Sequence, residues 1–177
     1  MELADFIRLG DQDPPLRFLI IGGYAIAAHG YARVTFDVDL LVRRPDREAW
    51  FSRLGARGLS LFGQTSAFAQ FSQPEEGDGL DLMFVDEPTF TPMWQASEEH
   101  NFGGVRARVP CLDHILALKL HELRQALPHR TARDAEDVQQ LLLRHRIDLR
   151  QPRYEQLFLK YATREIYETF LPLLRDA

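Results

Sequence analysis

Ile21-Gly22-Gly23-Tyr24-Ala25, followed by Thr35-Phe36-Asp37-Val38-Asp39-Leu40, is the stretch that decides the fold of this chain. A short apolar run over 18–21 ends at the glycine pair, the pattern of a buried strand emptying into a tight turn. The alanine-rich residues 24–29 predict a short helix stopped by Gly30, and 35–42 predict a second strand. On an extended strand Thr35, Asp37 and Asp39 share one face, while Val38, Leu40 and Val42 turn toward a core. Two carboxylates about 4 Å apart repel by roughly 1 kcal/mol in water and about 4 kcal/mol at an effective dielectric near 20. A divalent cation between them reverses that sign.

Two ligands on one strand cannot surround a metal, so a third acid is expected from a neighbouring strand. Asp81, within the alternating run 79–85, has the right parity; Asp86 has the opposite parity and stands at the strand end beside Glu87-Pro88. Further strands are expected at 67–71 and 105–109, with the glycine-acidic segment 74–79 joining a hairpin. Asp46 is positioned to cap a helix running to Arg57, with Trp50, Phe51 and Leu54 on its apolar side. Beyond Pro110 the period changes from two to 3.6. Ile115, Leu116, Leu118, Lys119, Leu120 and Leu123 lie on one helix, 132–145 on another, and 154–174 on one or two more. The fold class is therefore α+β: a small mixed β-sheet core with flanking helices over 1–110, and a C-terminal helical region over 111–177 packed on it.

The 177 residues, 45% hydrophobic, suffice for one sizeable core plus an appended element. A formal charge of −5 gives no global attraction to nucleic acid, so any such binding falls to a local patch. Arg124, His129, Arg130, Arg133, Arg144, His145, Arg146 and Arg150 offer one in the tail. The lone Cys111, a first ten residues without an apolar run, and apolar runs too short to span a bilayer place the protein in the cytoplasm, off the membrane. The histidines lack zinc-ligand spacing, and no serine or cysteine sits in a nucleophile context, which removes zinc and covalent catalysis.

Together, Gly22-Gly23, the spacing to Asp37-Val38-Asp39 and the later acid Asp81 resemble the polymerase-beta-type nucleotidyltransferase superfamily. The longer string with His29-Gly30, Arg33, Thr35 and Leu40 resembles one branch, the AbiEii-like toxins and related small bacterial proteins. The resemblance covers roughly residues 18–143, including Lys119 on one tail helix and Arg133-Asp134-Ala135-Glu136-Asp137 on the next. It implies Mg²⁺-dependent transfer of a nucleoside monophosphate from a nucleoside triphosphate to an acceptor hydroxyl. Asp37, Asp39 and Asp81 would hold one or two metal ions, with Asp81 also helping to activate the acceptor. Gly22, Gly23, Arg33, Thr35, Lys119 and Asp134 would line the nucleotide. One departure is Gly23, where many members carry serine.

Structural readings stand beside these. Asp134, three residues after Thr131, also fits a capping box at a helix start, and Lys119 also fits a side chain reaching out to solvent. For the acceptor, toxin relatives suggest tRNA. A small antibiotic such as an aminoglycoside is the alternative, as is a non-catalytic regulatory role beside a toxin or antitoxin partner. An exposed apolar groove over 154–174 would favour that last role.

Overall fold

Runs of branched and aromatic residues too short for helices build a five-stranded β-sheet. The computed structural model describes residues 1–72, 79–125 and 128–174. The chain divides into two compact units, Met1–Ala28 with Ala32–Cys111, and His29–Tyr31 with Leu112–Ala177.

In the first unit, α1 (Leu3–Gly10) buries Leu3, Phe6, Ile7 and Leu9 along one stripe, and its start is closed by a reciprocal Glu2/Asp5 capping box. Then follow β1 (Phe18–Ile20), α2 (Gly22–Ala28), β2 (Val38–Arg43), α3 (Arg47–Ala56), β3 (Ser60–Gln64), β4 (Phe68–Ser72) and β5 (Gly79–Val85). The unit closes with α4 (Glu87–Gln95) and a hairpin of β6 (Glu98–Phe102) and β7 (Val105–Val109). The five-stranded sheet has the order β1-β2-β5-β4-β3. Only β2 and β5 pair in parallel, so the sheet is mixed. Leu19, Leu40 and Leu41 are fully buried, so the middle of the sheet is covered on both faces. Trp50 of α3 meets Phe18 edge-on at 5.6 Å between ring centroids.

The strand expected over 35–42 begins only at Val38; Thr35 and Asp37 precede it in irregular chain. The Thr35 hydroxyl donates to the Asp37 carbonyl at 3.3 Å, a local bond that bends the backbone before the sheet ladder starts. Shared strand parity therefore applies to Asp39 but not to Asp37. Asp46 does precede α3, yet makes no capping bond. Its carboxylate instead takes a two-point contact from Arg43 at 2.7 and 2.8 Å, the stronger charge-assisted partner. The turn expected over 74–79 lies, but for Gly79, outside the described residues.

The second unit holds α5 (Leu112–Gln125), α6 (Pro128–Arg144), α7 (Pro152–Tyr161) and α8 (Arg164–Phe170), ending in a 3₁₀ turn at Leu171–Leu174. Leu116, Leu120, Val138, Leu141, Leu142 and Phe158 are buried. Phe158 packs edge-on against Tyr167 and Phe170, and the Tyr167 hydroxyl reaches the Leu149 carbonyl at 2.9 Å. Among the described residues of 154–174, Leu159 is the one large exposed hydrophobic. No described helix is long and apolar enough to cross a membrane.

Candidate active site

At Gly22 the backbone takes φ +59°, a left-handed conformation that only glycine adopts without strain. A side-chain carbon there would stand 2.0 Å from Asp39 Oδ2, inside any permitted contact. Gly22 therefore clears the place that the Asp39 carboxylate occupies. The approach is fixed from the other side as well, because Ile21 N–H donates to the Asp39 carbonyl at 2.9 Å, tying the end of β1 to β2. Replacing Gly22 by alanine is expected to cost about 1–2 kcal/mol in backbone conformation alone, plus displacement of Asp39. A lowered midpoint in urea unfolding is the expected result.

Gly23 is tight for a different reason. A side-chain carbon on it would lie 2.6 Å from Thr35 Oγ1 and 2.7 Å from Thr35 Cβ. Thr35 thus fills the space that a serine at position 23 would need, and its hydroxyl stands there instead. Arg33, half-exposed, donates through Nη1 to the Val34 carbonyl at 3.4 Å. Asp37 is exposed at the bend, and its Oδ1 accepts from Gly79 N–H, the first residue of β5, at 3.3 Å.

Asp39 and Asp81 are direct partners in the parallel β2/β5 register. Neighbouring strands run about 4.8 Å apart, so the two carboxylates leave adjacent strands on the same face. Both are half-exposed, while Val38, Leu40, Leu80 and Leu82 between them are buried. Asp81 accordingly faces away from the core. Its two oxygens each lie 3.2 Å from Gln70 Nε2, on β4. Asp86 is exposed and pairs with Arg44 at 2.7 Å.

Asp39 and Asp81 offer carboxylate oxygens, the chemistry of a hard cation of the magnesium type. Among the described residues, no three Asp, Glu, His or Cys side chains are gathered so as to hold a metal ion by themselves. Such an ion is ordinarily held by one or two carboxylates with substrate phosphates and waters, not by an all-protein cage. The in-register pair Asp39 and Asp81 fits that requirement.

Lys119 and Asp134 meet each other within the second unit. The Lys119 ammonium contacts Asp134 at 2.8 Å, Glu122 at 2.7 Å and Asp137 at 3.4 Å. Lys119, Asp134 and Asp137 are buried, so the lysine does not extend to solvent. Burial alone would lower its pKa, but the charges of Glu122 and Asp134 outweigh burial and hold the ammonium above its ordinary value. Burial pushes the Glu122 carboxyl up, with Lys119 pulling the other way. The capping-box reading of Asp134 does not hold. Helix α6 starts at Pro128, which puts Asp134 in its second turn, facing α5. Of the basic tail residues, Arg124, Arg133, Arg144, His145, Arg146 and Arg150 are exposed, while the side chains of His129 and Arg130 lie outside the described residues. His145 Nε2 lies 2.9 Å from the His29 carbonyl oxygen, and the Tyr31 hydroxyl donates to Glu136 at 2.6 Å.

No protein-family model matches this chain, and no curated protein does. Solved structures do. The antibiotic-resistance factor ANT(2'')-Ia superimposes with a TM-score of 0.68 at 17% identity, over 94% of this chain and 92% of that one. The same factor in complex with adenylyl-2''-tobramycin gives 0.65 at 15% identity, over 90% and 94%. The fold is that of the nucleotidyltransferases. The lincosamide antibiotic adenylyltransferase LnuA, lincomycin-bound, matches at 0.58 and 13% identity, over 78% of this chain and 95% of that one. An antigenic nucleotidyltransferase-like protein from Paracoccidioides brasiliensis matches at 0.54 and 17%, over 97% and 89%. At these identities the likeness is one of fold.

Proposed function

We propose that this protein transfers a nucleoside monophosphate from a nucleoside triphosphate to a hydroxyl group of a small-molecule acceptor. The observation that carries this reading is the in-register pair Asp39 and Asp81, with Gly22 clearing the place of Asp39. The acceptor oxygen forms a bond to the α-phosphorus, the bond between that phosphorus and the β-phosphate bridging oxygen breaks, and pyrophosphate leaves with the electron pair. Asp81 takes the proton of the acceptor hydroxyl. Asp39 and Asp37 face the triphosphate, with Gly22 making room for the Asp39 carboxylate and Gly23 making room for the Thr35 hydroxyl, a donor for a phosphate oxygen. A bound Mg²⁺ would offset the charge of the phosphates against these carboxylates.

A small-molecule acceptor is favoured because ANT(2'')-Ia and LnuA, similar in fold over most of this chain, are found with adenylyl-2''-tobramycin and lincomycin. An RNA acceptor of the AbiEii-like kind is the second reading, supported by exposed Arg124, Arg133, Arg144, Arg146 and Arg150 in the tail. Incubation with each triphosphate, Mg²⁺ and either a panel of hydroxyl-bearing antibiotics or total RNA separates the two. Mass spectrometry is expected to find one nucleoside monophosphate added to a small molecule. Addition to RNA alone would overturn the choice of acceptor.

A further inference from the structure

Four residues line up across four strands of the sheet: Gly63 pairs with Gln70, Gln70 with Asp81, and Asp81 with Asp39. All four are half-buried on one face, while Ala69, Phe71, Leu80 and Leu82 on the flanking positions are buried on the other. We infer that Gln70 is a positioning residue for Asp81, holding its carboxylate in the orientation that nucleotidyl transfer uses. This rests on the role of Asp81 given above.

Three features support the inference. The Gln70 amide nitrogen lies 3.2 Å from each Asp81 oxygen, so it holds Asp81 in the side-chain rotamer that brings both oxygens to it and not merely one oxygen at a distance. The nitrogen must face Asp81, since the amide oxygen would meet the carboxylate with like partial charge. An amide is also neutral. It therefore orients the carboxylate without forming an ion pair with it. Finally, the strand beside the amide leaves room for it. Its oxygen lies 3.1 Å from where a side-chain carbon on Gly63 would stand, and the register shift in β3 between Leu61 and Gly63 brings this glycine opposite Gln70. A side chain at position 63 would press on the amide and shift it by a few tenths of an ångström, which glycine avoids.

The test compares wild type with Gln70→Met, which keeps the length of the side chain and removes its N–H donors, and with Gly63→Ala, which presses on the amide from behind. Losing a partner that orients a reacting or metal-holding group costs about 10- to 100-fold in activity. Transfer kinetics are expected to show kcat down about tenfold or more in Gln70→Met with KM for the triphosphate within about twofold, and a smaller fall of the same type in Gly63→Ala. Three-bond NMR couplings to the Asp81 carboxylate carbon supply a readout that needs neither activity nor metal. They are expected to report one side-chain rotamer in wild type and averaging in Gln70→Met. Unchanged couplings in a folded Gln70→Met protein would overturn the inference, as would kcat within about twofold of wild type or a change confined to KM. A wild type that transfers no nucleotide to any acceptor would overturn the catalytic half of the inference together with the proposed function. The couplings would still decide whether Gln70 holds Asp81.

Discussion

Lys119→Met is expected to destabilise the protein by about 3–5 kcal/mol, the scale on which removing one partner strands buried charge. Three carboxylates, from Glu122, Asp134 and Asp137, face that ammonium, and the Asp137 side chain is fully buried. Methionine fills the space but leaves their charge without a cation. The exposed pair Arg153 and Asp113, equally close at 2.8 Å, is a control, because pairs with that much solvent contribute about 1 kcal/mol or less. Urea unfolding of Lys119→Met and of Arg153→Met measures both effects.

The effect of pH on this variant has a definite sign. In wild type the Lys119 pKa is held above its ordinary value, so its stabilisation is complete below about pH 10 and fades only as pH rises through the raised value. Across neutral pH the lysine contributes a constant amount. In Lys119→Met the Glu122 carboxyl, already pushed up by burial, loses the cation that pulled the other way, so it takes up a proton more readily than in the unfolded chain and acid relieves the repulsion. The stability deficit is expected to be larger at pH 8 than at pH 5. A lysine serving chiefly to bind phosphate would behave differently: its loss would raise KM for the triphosphate and leave the unfolding midpoint in place.

The spacing from Gly22 to Asp39 was legible in the sequence because both requirements are local: a turn that needs glycine, and an acid on a strand whose alternate residues are apolar. Asp81 was legible for the same reason, since Leu80, Leu82 and Phe84 mark its strand by period two. Asp37 was not. With the Thr35 hydroxyl bonded to the Asp37 carbonyl, the strand begins at Val38, just beyond Asp37, and no hydrophobic period records such a bond. Gln70 was invisible because its significance lies in register. Only the pairing of β4 with β5 sets it opposite Asp81, and pairing is a long-range property of the chain. Strand β3 escaped notice because almost all of it is exposed, and β6 because Glu98 to Asn101 are polar on both faces. Asp134 misled through its neighbour Thr131, whose spacing mimics a cap inside a helix that starts earlier.

Asp39→Asn tests the account most directly. Asparagine keeps the size of the side chain beside Gly22 and removes its negative charge, so the fold should persist while the electrostatics of the site change. Losing one group that stabilises developing charge costs a transfer reaction on the order of a hundredfold or more. The measurement is release of labelled pyrophosphate and appearance of nucleotidylated acceptor, with Mg²⁺ present and the unfolding midpoint checked alongside. The account predicts transfer by wild type and a rate at least about a hundredfold lower for Asp39→Asn at equal stability. Equal rates for the two proteins would contradict it.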